Sequence, residues 1–248
     1  MKKLGLIGYP LGHSFSKKYY HAKFDAEHIT DIDYDLYALQ DIQQFPMLYE
    51  DDHAFYGFNV TIPHKRSIMP FLDALSPEAT EIQAVNCIQI RRKDGRAYLK
   101  GFNTDAYGFE QSLLPLLKQQ HTQALVFGNG GAAQAVYYVL NKLGISFQIV
   151  SRSKENGDLT YADLTRETIH SHTLLINCSP VGTFPDIDQA PRIPYEGIGQ
   201  DHLLYDLIYN PDETTFLRRG KERGAVTKNG YEMLVLQAEK NWDIWNEE

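Results

Sequence analysis

The chain has little that would tie it together covalently or hold it in a membrane. Of its 248 residues only Cys87 and Cys178 are cysteine, and both sit in apolar, strand-like surroundings. Nothing here supports a disulfide framework, and free buried thiols in a reducing, cytoplasmic setting are expected. No run approaches the ~18 apolar residues of a membrane span. The N-terminal stretch Met1–Pro10 is basic, then apolar, but Gly8 and Pro10 cut it too early for a secretory signal. Leu4 to Ile7 therefore reads as a first buried strand. Positive charge is in deficit, with 24 Lys and Arg against 32 Asp and Glu, a net charge of −8. That argues against a nucleic-acid or anionic-membrane surface, although it leaves room for a local basic pocket. The nine histidines show no metal-ligand spacing. The nearest approach, His170-Ser171-His172, is spaced i, i+2 and does not share a helix face, so no metal is expected. Repeats, low-complexity tracts and long linkers are lacking as well.

What remains is an ordinary globular composition, 43% apolar and 23% charged, long enough for one large or two modest domains. Strand patterns at 3–8, 32–37 and 56–60 alternate with helix patterns at 16–28, 41–50, 65–73 and 76–83. The strands 86–91 and 96–101 read as a hairpin through Lys93-Asp94-Gly95, which would add an antiparallel edge. This alternation implies an α/β unit with a mostly parallel sheet. A second α/β unit follows, with a helix over 104–118, strands at 123–127, 146–150, 174–177 and 203–206, and a helix over 132–143 that ends at Gly144. Helix spacing of Met233, Leu234, Leu236, Gln237, Trp242 and Trp245 predicts a last helix over 231–245.

Three segments carry chemistry. Gly57-Phe58-Asn59-Val60-Thr61-Ile62-Pro63-His64-Lys65 begins as a strand, meets a proline and delivers one lysine beyond the strand end. Gly101-Phe102-Asn103-Thr104-Asp105 delivers one aspartate in a similar setting. In Gly128-Asn129-Gly130-Gly131-Ala132-Ala133 an apolar strand runs through a glycine turn into a helix. Glycines there allow close backbone approach to a pyrophosphate, and the helix N-terminus offers free N–H groups, a Rossmann-type arrangement. An NAD site usually ends the next strand with an acid for the ribose 2′-hydroxyl. Here that strand ends in Ser151-Arg152-Ser153, and a guanidinium suits a 2′-phosphate, so NADP is expected. A lysine, an acid and a dinucleotide site together point to a redox enzyme for a small polar alcohol or ketone. Near the N-terminus Ser16 reads as the N-cap of a helix starting at Lys17, and Ser14 and Ser16 together have the hydroxyls to hold a carboxylate.

In this order the segments resemble the shikimate dehydrogenase family over nearly the whole chain. Gly12-His13-Ser14-Phe15-Ser16 with His21, Asn59 through Lys65, Ala84-Val85-Asn86-Cys87, Gly101 through Asp105, Gly128 through Ala133 and Ser151-Arg152-Ser153 carry the resemblance. So do Asn177-Cys178-Ser179 through Gly182, Tyr205 through Tyr209, and Gly230 through Met233 to Gln237. The resemblance implies two α/β domains around a cleft. Residues 1–103 would bind substrate, 104–229 would bind NADP, and a C-terminal helix over 230–248 would return to the first domain. It implies reversible reduction of 3-dehydroshikimate to shikimate, in aromatic amino-acid biosynthesis, by a monomer or homodimer. Lys65 and Asp105 would be catalytic. Ser14, Ser16, Thr61, Asn86, Tyr209 and Gln237 would bind substrate. Gly128, Asn129, Gly130, Gly131, Ala132, Ala133, Ser151, Arg152, Ser153 and Gly230 would bind the cofactor. A quinate/shikimate dehydrogenase using NAD and a catalytically silent NADP-binding regulator are the rival readings, with a folate dehydrogenase of similar plan behind them.

The chain departs from the family pattern at several points. Cys87 stands where threonine is usual, Lys17 where proline is, Asn129 where alanine is more common and Ala106 where glycine is. Tyr231-Glu232 follow Gly230 where smaller residues are common, and the segment Lys154–Thr173 is short.

Overall fold

In a computed structural model the chain is described over residues 1–12 and 15–247. It divides into two compact units, Met1–Thr104 with Gln237–Glu248, and Asp105–Leu236. No helix among the described residues is long and apolar enough to cross a membrane.

The first unit contains β1 (Lys2–Gly8), α1 (Phe15–Ala26), β2 (Ile32–Ala38), α2 (Phe45–Asp51), β3 (Phe55–Val60), β4 (Ala74–Leu75), α3 (Pro77–Ile82), β5 (Cys87–Lys93) and β6 (Arg96–Phe102). Its sheet runs β2-β1-β3-β5-β6-β4, and β5 alone runs against the rest. The hairpin β5–β6 is therefore not an edge, because β4 pairs in parallel outside it.

Period-2 alternation places two apolar layers on the two faces of this sheet. Ile7, Phe58, Val60 and Ile88 join Phe45, Ile68 and Leu99 on one face. Leu4, Leu6 and Cys87 join Tyr20, Tyr34, Ile244 and Trp245 on the other. Trp245 Nε1 donates to Ile88 O at 3.0 Å, and its ring lies where a Cβ on Gly57 would stand, so glycine is required there.

Three helix expectations need correction. The pattern at 65–73 forms a series of turns with one short 3-10 segment at Met69–Phe71. The Lys65 carbonyl accepts a long-range bond from Val85 N at 2.7 Å instead of a helical partner. Pro70 clashes with helical geometry at the preceding turn and lacks an N–H. The pattern at 41–50 splits into a 3-10 turn capped by Asp41 and then α2, with Pro46 in the first turn of α2, where its missing N–H costs nothing. The helix from 104 ends at Leu113, because Pro115 allows only a 3-10 turn beyond it.

The second unit opens with α4 (Thr104–Leu113), whose first residue still belongs to the first unit. It contains β7 (Gln123–Phe127), α5 (Gly131–Lys142), β8 (Ser146–Ser151), β9 (Leu159–Thr160), α6 (Arg166–Ser171), β10 (Leu174–Asn177), β11 (Leu203–Asp206), α7 (Thr215–Lys221) and β12 (Val226–Lys228). α8 (Tyr231–Asn246) closes the chain. The sheet β12-β11-β10-β7-β8-β9 is parallel throughout. Strand order reverses between β7 and β10, the doubly wound order with its ligand crevice at that switch point. Gly144 follows α5 with φ +68°, the left-handed residue expected there. The short segment after Arg152 still supplies an edge strand, β9, and a two-turn helix, α6. β4, β9, α6, α7 and β12 have no counterpart among the elements expected from sequence.

Candidate functional site

In the first unit the site residues gather at the C-terminal end of β1 and β3. β3 stops at Val60, before Pro63. Beyond it the chain is held by Thr61 N donating to Ile7 O at 2.8 Å and Tyr9 N to Ile62 O at 3.0 Å. His64 is buried, and its Nε2 donates to Leu39 O at 2.6 Å, so it braces this turn. Lys65 is half-buried, and the Val85 bond to its carbonyl fixes its backbone one residue before Asn86.

Asn86 is the hub. It is 3% exposed. Its Oδ1 accepts from Thr104 N at 2.7 Å, and its Nδ2 donates to Thr104 Oγ1 at 3.0 Å and reaches Gln237 Oε1 at 3.5 Å. Asn241 Nδ2 donates to the same Gln237 oxygen at 3.1 Å, and Thr104 Oγ1 donates to Asn241 Oδ1 at 2.6 Å. The Asn86 carbonyl accepts from Val60 N at 2.9 Å and Asn59 Nδ2 at 3.3 Å. Asn59 Oδ1 in turn accepts from the Tyr34 hydroxyl at 2.8 Å. Burial pushes the Tyr34 phenol well up, and the Ser16 hydroxyl beside it opposes that shift. Ser16, Thr61, Lys65, Asn86 and Gln237 thus share one polar end of the sheet, with Tyr34, Asn59, Thr104 and Asn241 supporting them.

α1 begins at Phe15, so Ser16 lies in its first turn and does not cap it. Ser14 falls outside the described residues. Lys17 Nζ pairs with Asp35 Oδ1 at 2.6 Å and draws that carboxyl below its usual range. Cys87 points into the apolar layer under α8, where burial pushes its thiol well up. Both cysteines are free.

In the second unit Asp105 is buried in the first turn of α4. The glycine loop leaves β7 at Gly128, whose φ of +101° favours glycine. A Cβ there would also press on Ser179 N at 3.1 Å, so the loop lies against the chain leaving β10, at the switch point. Gly130 and Gly131 face open space where a Cβ would stand, so the first N–H groups of α5 are reachable by an anion. Arg152 is exposed just past β8, with a serine on each side. These residues fit a dinucleotide bearing a 2′-phosphate. Ala133 is buried in α5, while Ala132 is partly exposed. Ser151 is buried, and its hydroxyl donates to Ser153 O and accepts from Ser153 N at 3.2 Å, so it serves the turn itself. Gly230 donates its N–H to Ile208 O at 3.0 Å, and a Cβ there would strike the Leu207 backbone. Tyr209, in the loop after β11, is 38% exposed, and burial of the rest raises its phenol.

Asn241 and Tyr34 are supports that the sequence motifs did not mark, and Thr104 lies within a motif that assigned it no role. Asn241 had a signal, since it stands one helical turn beyond Gln237 on α8.

An α/β sheet with a braced polar end and a doubly wound parallel sheet with a glycine loop at its switch point define a two-unit protein of dinucleotide-dependent type. Comparison with known proteins narrows the class. The family profile described as shikimate dehydrogenase substrate binding domain matches residues 6–88. The NADP(+) shikimate dehydrogenase of Desulforamulus reducens is 34% identical over 267 residues, covering 97% of this chain and 88% of that protein. The Thermus thermophilus shikimate 5-dehydrogenase, solved in complex with NADP(H) and shikimate, is 29% identical with a TM-score of 0.84, covering 99% of this chain and 94% of that one. Quinate dehydrogenase from Corynebacterium glutamicum, in complex with NAD, superposes with a TM-score of 0.88 over 99% of this chain and 93% of that one, but at 24% identity it shows the fold alone. The chain belongs to the shikimate dehydrogenase family.

Proposed function

We propose that this chain is an NADP-dependent shikimate dehydrogenase that interconverts 3-dehydroshikimate and shikimate. The observation that carries the reading is the polar end of the first sheet. It presents an amine, two amides and two hydroxyls (Lys65, Asn86, Gln237, Thr61 and Ser16) from separate segments braced by buried hydrogen bonds. Such a set suits a small ring with several hydroxyls and a carboxylate. NADPH, when bound, would supply the hydride for the carbonyl carbon. The Lys65 ammonium donates the proton to the carbonyl oxygen, leaving a neutral amine that takes the proton back in the oxidation direction. Until that transfer, its charge stabilises the developing alkoxide. Asp105 is assigned the carboxylate role in catalysis. Asn86, Thr61 and Gln237 are assigned the ring hydroxyls, Ser14 and Ser16 the substrate carboxylate, and Tyr209 is assigned to the substrate as well. The loop Gly128–Ala133 would hold the pyrophosphate and Arg152 the 2′-phosphate, with Ser151 and Ser153 shaping the turn that carries it, and Gly230 is assigned to the nicotinamide end. The domain assignment of 1–103 to substrate and 104–229 to cofactor, and a monomeric or dimeric cytoplasmic enzyme, complete the reading.

The test is nicotinamide absorbance with shikimate or quinate, crossed with NADP⁺ or NAD⁺. Clear turnover is expected only with shikimate and NADP⁺. No turnover in any pairing would sink the enzyme reading, and a preference for quinate with NAD⁺ would replace it with the rival one.

A further inference from the structure

One side chain of the glycine loop does not face the phosphate space. Asn129 Nδ2 donates to Asn156 O at 2.9 Å, across 27 positions of sequence. Asn156 Nδ2 donates to Ser153 Oγ at 3.0 Å, and Asn156 N donates to Ser153 O at 3.1 Å. Ser153 is closed onto Ser151 by the bonds described above, and Arg152 lies between the two serines. A continuous path of hydrogen bonds therefore runs from the loop after β7 to the turn that carries the arginine after β8.

We infer that the Asn129 side chain sets the selectivity for a 2′-phosphorylated dinucleotide by tethering the Arg152 turn to the pyrophosphate loop. The inference rests on the NADP reading above. A dinucleotide held at Gly128–Gly131 puts its ribose 2′-substituent at a fixed distance from that anchor. A guanidinium grips a phosphate well only if its backbone stands at the matching distance, because bidentate bonds are geometrically strict. β7 and β8 set that distance as far as the pair Phe127 and Val150, and Gly128 N adds one more bond to Val150 O at 2.9 Å. Beyond it Arg152, Lys154, Glu155 and Asn156 are exposed, and Asn129 supplies a side-chain bond that links this turn to the loop. Alanine at position 129 has no donor and leaves the turn to its internal bonds and to those that hold Asp158 and β9 to β8, with no side-chain bond from position 129 to the turn. The bond is neutral and solvent-exposed, so its loss is worth a few-fold in affinity rather than orders of magnitude.

The experiment compares NADP⁺ and NAD⁺ affinities, by titration calorimetry, for the wild-type chain, Asn129→Ala and Asn156→Ala. The wild type is expected to prefer NADP⁺. In Asn129→Ala the ratio of the two affinities should fall about five-fold. Asn156→Ala keeps the carbonyl acceptor but loses the bond to Ser153, and should lower the ratio in the same direction. A general loosening of the loop would weaken both cofactors alike and leave the ratio unchanged, which would overturn the inference. An unchanged ratio with unchanged affinities would overturn it too. If the wild type shows no preference for NADP⁺, the cofactor reading itself fails, whatever the variants do.

Discussion

Asn86 Oδ1 accepts the backbone N–H of Thr104 at 2.7 Å, so a side chain before β5 holds the first residue of α4. The first N–H groups of a helix have no partner inside it, and Thr104 is buried away from water. Asn86→Ala leaves that N–H and the Thr104 hydroxyl without this partner. We predict a loss of about 2–3 kcal/mol in unfolding free energy, read by urea denaturation. Because Asp105 follows Thr104 directly, kcat should fall as well. A variant of unchanged stability would show that the bond can be replaced locally.

Lys65 is held through its backbone by Val85 and stands half-buried at the end of the braced turn. Lys65→Ala is expected to lower kcat by ~10² or more with a modest change in the KM for shikimate, as loss of a proton donor requires. Near wild-type kcat would remove Lys65 from the chemical step.

The parts of this chain with short-range causes could be read from residues alone. β1 to β3, the hairpin β5–β6, the strand–glycine–helix run at β7–α5 and Gly144 after α5 all follow from apolar alternation and turn residues. At 65–73 the Lys65 carbonyl bonds to Val85, twenty residues away, and no local pattern records that. Ser16 reads as a cap from its residue type, but helix starts are set by backbone geometry that residue type does not record. β4, β9 and β12 are two or three residues long, too short for a period to register. The candidate site was legible as separate motifs. The bracing through Tyr34, Asn59 and Asn241 depends on which residues the sheet and α8 bring together.

Trp245 links the final helix to the sheet. It is 4% exposed, hydrogen-bonded to Ile88 O, and packed with ring centroids 5.4 Å from Tyr20 and 6.4 Å from Tyr34. Trp245→Ala should cost about 3–5 kcal/mol through the cavity it leaves and the lost indole hydrogen bond. Trp245→Phe refills most of that space and should recover more than half of the loss. Equal losses for the two variants would show that the hydrogen bond, not packing, dominates.

Arg152 offers a sharper test of cofactor choice than overall activity. A charge-assisted bond to phosphate is worth about 1.5–3 kcal/mol, or roughly 10- to 100-fold. Arg152→Ala is expected to raise the KM for NADP⁺ by that factor and to change the KM for NAD⁺ far less. Equal effects on both would assign Arg152 a role in the fold of the turn.

Asp206 is fully buried at the end of β11, where it accepts from Thr214 Oγ1 at 2.6 Å, Asn177 Nδ2 at 3.0 Å and Ile208 N at 3.1 Å. Burial raises its pKa to about 6, against the pull of these three donors. Because the folded value lies above the unfolded one, the fold favours the protonated acid. The stabilisation is fully present below about pH 4 and is lost as pH rises through 6. Between pH 5 and pH 8 the wild type should lose about 1 kcal/mol that Asp206→Asn does not lose. Asp35, Asp52, Asp163 and Glu167 have lowered values, so their contributions run the other way, present at neutral pH and lost as pH falls. They are common to both proteins and cancel in the difference. Urea unfolding of the wild type and Asp206→Asn at pH 5 and pH 8 isolates the buried group. The asparagine variant should be penalised more at pH 5 than at pH 8, and a pH-independent difference would show that Asp206 is ionised in the fold at both.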